Sequence, residues 1–184
     1  MLRGLMSLGA LAFSGLLLPS LLMSALLSWS LLSPGVAQAS TVKSVLPDAQ
    51  LRGAATFRFV GFPIYEAQLF TRAGAPLDWE TDFGLELTYL RNLTGKDLVE
   101  GTLRELERTG AVLPPRAQLE RCYRDVRKGD RYVAVSKGPD AIGFWLNDKF
   151  ICTLSQPRIK TSFMQIFLGD NTRSQSFSRA LRGE

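Results

Sequence analysis

The chain has 184 residues, with 22 Lys+Arg against 17 Asp+Glu, two cysteines and no histidine. That length holds one domain, or two only if both are small. Without an imidazole, Ser-His-Asp and Cys-His nucleophiles, His-ligated zinc and His proton shuttles are excluded, and two cysteines cannot build a structural zinc site unaided.

Charge is unevenly spread. Residues 1–39 hold one charged side chain, Arg3, and 13 leucines. A short positive start, an apolar run from Gly4 to Leu32 and a closing Ala37-Gln-Ala39 have the layout of a cleavable secretory signal, with Ser40 as the first mature residue. The competing reading is an uncleaved anchor, since the run is long enough to span a bilayer. Residues 40–184 are expected to form a single exported domain, periplasmic or otherwise extracytoplasmic. Export places Cys122 and Cys152 where a disulfide can persist. The alternative is a pair of small buried hydrophobes.

The first elements of the mature chain are strands. Ala54–Val60 and Ile64–Thr71 flank a Gly61-Phe-Pro63 break, a hairpin or bent pair. Phe83, Leu85, Leu87 and Tyr89 alternate with Gly84, Glu86 and Thr88, the period of a half-buried strand. Thr94-Gly-Lys-Asp97 then opens a helix with a capping-box-like start, Leu98, Val99, Leu103 and Leu106 share its apolar face, and Gly110 stops it. A second helix is expected from Pro114-Pro115. It would carry Leu119, Cys122, Tyr123 and Val126 on one face and Arg121, Arg124 and Lys128 on a solvated outer one. After Lys128-Gly-Asp130 the period returns to two: Arg131–Ser136, Ile142–Leu146 and Phe150–Leu154 form a meander joined by Gly138-Pro-Asp140 and Asn147-Asp148. A helix over Pro157–Leu168, closed by Gly169, and a short one bearing Phe177 and Leu181 end the chain. The predicted class is α+β, a large antiparallel sheet with a layer of helices packed on one face.

No phosphate loop, dinucleotide fingerprint, nucleophile elbow or metal-spaced cluster is present, so no cofactor is expected. Nor is nucleic acid, because the aromatics follow apolar faces and do not interleave with a basic platform. The candidate for chemistry is Arg58, set between Phe57 and Phe59 in an apolar strand. Alternation sends it to the face opposite those rings. If that face is solvent, Arg58 is an ordinary surface residue; if it is covered, the guanidinium needs an anionic partner and suits an acidic head group.

Leu51-Arg-Gly53 followed by Phe57-Arg-Phe-Val-Gly-Phe-Pro-Ile-Tyr65-Glu-Ala-Gln-Leu-Phe70 resembles the opening hairpin of bacterial chalcone isomerase-like proteins. Leu87–Gly95, Asp125–Asp130, Gly143–Asn147 and Phe167–Thr172, leading to Ala180-Leu181, extend the resemblance over about residues 49–183. It implies the same large sheet with layered helices. It also implies one of two activities: ring closure of a chalcone, or fatty-acid binding in which an arginine grips the carboxylate. The enzymes' polar set is mostly replaced here. Val60 falls where they have threonine, Arg104 and Glu105 lie near their helical lysine, and Ile166 stands where they often have a hydroxyl. Little flavonoid isomerase activity is therefore expected. The reading is a monomeric, non-catalytic protein that holds a small apolar acid, with Arg58 at the head group and Tyr65 or Tyr89 adding a hydrogen bond. The alternatives are an isomerase or intramolecular lyase on an enone-like substrate, with Arg58 as its catalytic candidate, and a purely structural or interaction module. Membrane contact is expected only through the leader, if it stays attached.

Overall fold

The computed structural model describes residues 40–184, and the leader expected over 1–39 lies outside them. Six strands form one sheet: β1 (Ala49–Phe59), β2 (Phe62–Arg72), β3 (Gly84–Tyr89), β4 (Arg131–Ser136), β5 (Ala141–Leu146) and β6 (Lys149–Ser155). Their spatial order equals their chain order and every pairing is antiparallel. Two tight turns show contrasting chemistry. Asn147 and Asp148 take positive φ between β5 and β6, as a two-residue hairpin turn asks and as their short polar side chains tolerate. Between β1 and β2 the same task falls to Val60 (φ 49°) and Gly61 (φ 81°). A β-branched residue is strained there, and no local polar bond of its own offsets the strain.

Helices α2 (Gly95–Arg108), α3 (Arg116–Cys122), α4 (Ile159–Leu168) and α5 (Gln175–Arg182) cover the face that carries Leu69, Leu85, Tyr132, Ala134 and Phe144. The capping box of α2 forms as its sequence signals: Thr94 Oγ1 accepts from the Asp97 backbone N–H, and the Thr94 backbone N–H donates to the Asp97 carboxylate. At the far end of the domain α5 rests on a bulge in β1. A Cβ on Gly53 would meet the carbonyl oxygens of Leu181 and Ala180 at 2.5 and 2.7 Å, so only glycine permits this approach.

Two features depart from the expected layout. A five-residue helix, α1 (Thr41–Val45), packs on the other side of the sheet, where Val42 joins Ala49, Phe70, Val133, Val135 and Trp145 in a second, smaller core. Such a short element carries too little periodicity to be read from sequence. The helix starting at Pro115 also ends early, at Cys122, so Tyr123 and Val126 are not on a helical face and Arg124 and Lys128 do not continue a helical stripe. The cause is long-range. The Tyr132 hydroxyl accepts from the Arg124 N–H at 2.8 Å and donates to the Cys122 carbonyl at 3.2 Å, and Val126 pairs with Leu93 in an antiparallel bridge. Cys122 and Cys152 are joined in a disulfide with Cα atoms 5.2 Å apart, tying α3 to β6. The sheet, both cores and the disulfide lie within one compact unit, to which the described residues 40–184 belong.

Candidate functional site

Between the inner face of the sheet and helices α2, α4 and α5 lies an apolar cavity of about 530 Å³, within the range of small-molecule sites. Its wall contains a closed circuit of seven aromatic rings. Tyr65 meets Tyr89 at 6.0 Å, Tyr89 meets Tyr132 at 6.3 Å, and Tyr132 meets Tyr123 at 5.7 Å, all edge to face. Tyr123 then meets Phe144 at 6.0 Å, Phe144 meets Phe163 at 5.3 Å, Phe163 meets Phe167 at 5.8 Å, and Phe167 returns to Tyr65 at 6.3 Å. Five elements and the segment after α3 contribute to it. Edge-to-face contact turns ring edges toward neighbouring ring faces, which suits rigid walls around an apolar guest.

The four tyrosines of the circuit divide into two pairs. The hydroxyls of Tyr132 and Tyr123 are committed to the protein: Tyr132 bridges Cys122 and Arg124, and Tyr123 pairs with the Thr102 hydroxyl at 2.9 Å. Among the described residues, those of Tyr65 and Tyr89 have no hydrogen-bond partner, yet neither is sealed away from solvent-sized space. They point into the cavity. Burial raises both phenol pKa values well above the ordinary tyrosine range, and the nearby Glu105 charge adds to the rise at Tyr65. Both hydroxyls are therefore protonated donors at any physiological pH. Burial pushes Tyr132 up to about 12, against a smaller opposing effect of its bond from the Arg124 N–H.

The mouth of the cavity is charged. Glu105 sits there and is held by Arg108 at 2.8 Å and by Arg173. Burial pushes the Glu105 carboxyl up, but the hydrogen bonds and charges of the two arginines outweigh it and hold the group below the usual carboxylate range. Arg104, one residue earlier on α2, also lines the mouth, is exposed, and makes no ion pair among the described residues.

The structure brings Tyr65 and Tyr89 together in the cavity as cross-strand partners. It does not bring Arg58 there. Phe57 and Phe59 alternate into the wall, so the pleat turns Arg58 to the opposite side, where it is exposed and donates to the Gly61 carbonyl at 3.3 Å. The expected head-group anchor is corrected on this point: no covered wall surrounds this guanidinium, and the arginines lining the cavity are Arg104 and Arg173, of which Arg173 is paired with Glu105. Sequence periodicity shows Arg104 only as part of the charged side of α2. The rings of Tyr123, Phe144, Phe163 and Phe167 carry an apolar signal that does not distinguish a filled core from a cavity wall.

The fold is similar to that of the Arabidopsis thaliana fatty-acid binding protein AtFAP1, with a TM-score of 0.56 and 8% sequence identity over 74% of this chain and 87% of that one. The likeness establishes the architecture, a six-stranded antiparallel sheet of chalcone isomerase-like type with layered helices. No family model and no curated protein matches the sequence.

Proposed function

We propose that this protein binds a long-chain carboxylic acid, or a similar apolar acid, in the aromatic-walled cavity and performs no chemistry on it. The observation that carries the reading is the pair of Tyr65 and Tyr89 hydroxyls, without a protein partner, on the aromatic wall of a cavity whose mouth is charged. A hydroxyl that opens into a cavity and has no protein partner is free to donate to an acceptor-bearing guest. The acyl chain lies among the rings, the two phenols donate to ligand oxygen, and the Arg104 guanidinium at the mouth attracts the ionised head group. Phenols whose pKa is raised this far hold their protons, which favours binding over proton abstraction. The similar structure is that of a fatty-acid binding protein, which points the same way.

The proposal includes export. Arg3, the apolar run and Ala37-Gln-Ala39 act as a cleavable signal and release a domain beginning at Ser40. The intact mass of the protein recovered from outside the cytoplasm tests this part.

Titration of residues 40–184 with palmitate and with the alcohol of equal length, followed by thermal shift and calorimetry, tests the binding. Stabilisation by the acid, weaker stabilisation by the alcohol, and loss of that difference in Arg104→Gln are the expected results. No shift with carboxylates of any chain length overturns the reading.

A further inference from the structure

The tip of the β1–β2 hairpin presents an apolar surface to solvent, of which Phe59 also reaches the cavity wall. Phe59, Val60 and Phe62 are 48%, 78% and 63% exposed, and they are contiguous around the turn. Val60 occupies the left-handed region, where Asn, Asp or Gly meets the conformational demand with far less strain. At the same end of the sheet the Asn147–Asp148 turn between β5 and β6 uses the favoured residues. A strained, fully apolar turn in water is unfavourable both for folding and for solvation, so its chemistry points to a surface that the tip meets.

Cations surround it. Arg58 is fixed beside the turn by its bond to the Gly61 carbonyl, and the Arg91 guanidinium lies 5.7 Å from the centroid of the Phe62 ring. Neither makes an ion pair among the described residues. Lys128 follows on the neighbouring loop, where its backbone N–H donates to the side chain of Asn92, the residue after Arg91. The carboxylates at this end of the sheet are engaged: Asp130 accepts from the Arg127 N–H and from Asn147, and Asp148 binds Arg131 and accepts from Thr41. Glu66, farther along β2, is exposed.

We propose that this tip docks the domain onto an anionic lipid bilayer, with Phe59, Val60 and Phe62 entering the interfacial region and Arg58, Arg91 and Lys128 meeting headgroup phosphates. Apolar insertion coupled to a cationic rim is the combination that binds peripheral proteins to such surfaces. Charge selects the occupant. A second copy docked through the same patch would set arginine against arginine, whereas anionic headgroups neutralise them. This contact is separate from the leader. Phe59 also lines the cavity, so docking would place the cavity rim at the lipid boundary.

Co-sedimentation of ligand-free residues 40–184 with vesicles of phosphatidylcholine alone, and of phosphatidylcholine with phosphatidylglycerol, tests the proposal. Binding is expected to the anionic vesicles, reduced at high salt. It should fall at least tenfold in Val60→Asn/Phe62→Ser and lose its anionic preference in Arg58→Gln/Arg91→Gln. Because Asn suits the turn, Val60→Asn alone is expected to weaken vesicle binding while raising the melting temperature, which separates docking from folding. Wild-type protein that ignores anionic vesicles, tip variants that bind as well as wild type, or tip variants whose main effect is to dissolve a dimer would each overturn it. No carboxylate is present in this assay, so failure here leaves the cavity reading standing, and failure of ligand binding leaves this one standing.

Discussion

Tyr65 and Tyr89 are direct cross-strand partners whose rings meet edge to face at 6.0 Å, and both hydroxyls open into the same cavity without a protein partner. Their neighbours Tyr123 and Tyr132, in the same ring circuit, spend their hydroxyls on structure. The contrast separates binding from stability. Tyr65→Phe or Tyr89→Phe removes no protein hydrogen bond and should leave the unliganded melting temperature unchanged or slightly higher, while weakening carboxylate binding by roughly tenfold. Tyr132→Phe breaks two bonds at the end of α3 and should lower stability by about 1–3 kcal/mol. Calorimetric titration and denaturant melts of the three variants check both halves.

The Glu105 carboxyl is held below its ordinary range, which makes part of the stability pH-dependent. A depressed folded-state value means its contribution is fully present above the unfolded-state value and is lost as pH falls through the folded one. In Glu105→Gln the loss of stability from neutral pH down through the carboxylate range should be shallower than in wild type. Denaturant midpoints measured at a series of pH values read the difference, and parallel curves would remove Glu105 from the acid limb.

The disulfide closes a loop with a sequence separation of 30 between Cys122 and Cys152. Cys122→Ala/Cys152→Ala should cost about 3–4 kcal/mol through the freer unfolded chain. Wild type in reductant should move toward the variant, and the variant should not respond to reductant at all. Paired denaturant melts with and without reductant test this.

A side chain at position 53 would collide with backbone, not with a flexible tip. Gly53→Ala should lower stability by about 1–3 kcal/mol and loosen α5, which supplies Phe177 to the cavity wall. The readout is a denaturant melt together with hydrogen exchange of residues 175–182, where protection is expected to fall first.

Legibility in the sequence followed the range of the forces. The hairpins, the capped start of α2 and the meander of β4, β5 and β6 rest on neighbours within a few residues, and periodicity exposes them. The end of α3 rests on a hydroxyl from β4, and the place of α1 rests on Val42 finding Val133 and Val135, so neither is written locally. At the site, the tyrosines were readable as candidates because they stand on the apolar face of their strands. Arg58 was readable as one face or the other, and only the helices decide which face is covered. The Arg104 role depends on Glu105 being taken by Arg108 and Arg173, a partnership that spans 68 residues.

Because spatial and chain order coincide across the sheet, each strand pairs with the one before it in the chain, across short loops at β1–β2, β4–β5 and β5–β6 and across the α2–α3 excursion of residues 90–130 between β3 and β4. A longer-range closure is the seat of α5 on β1, which joins the last element to the first strand. A chain that emerges from its N-terminus can therefore assemble its strands as it appears, but it completes the cavity wall only after the final turn of α5 is free to land.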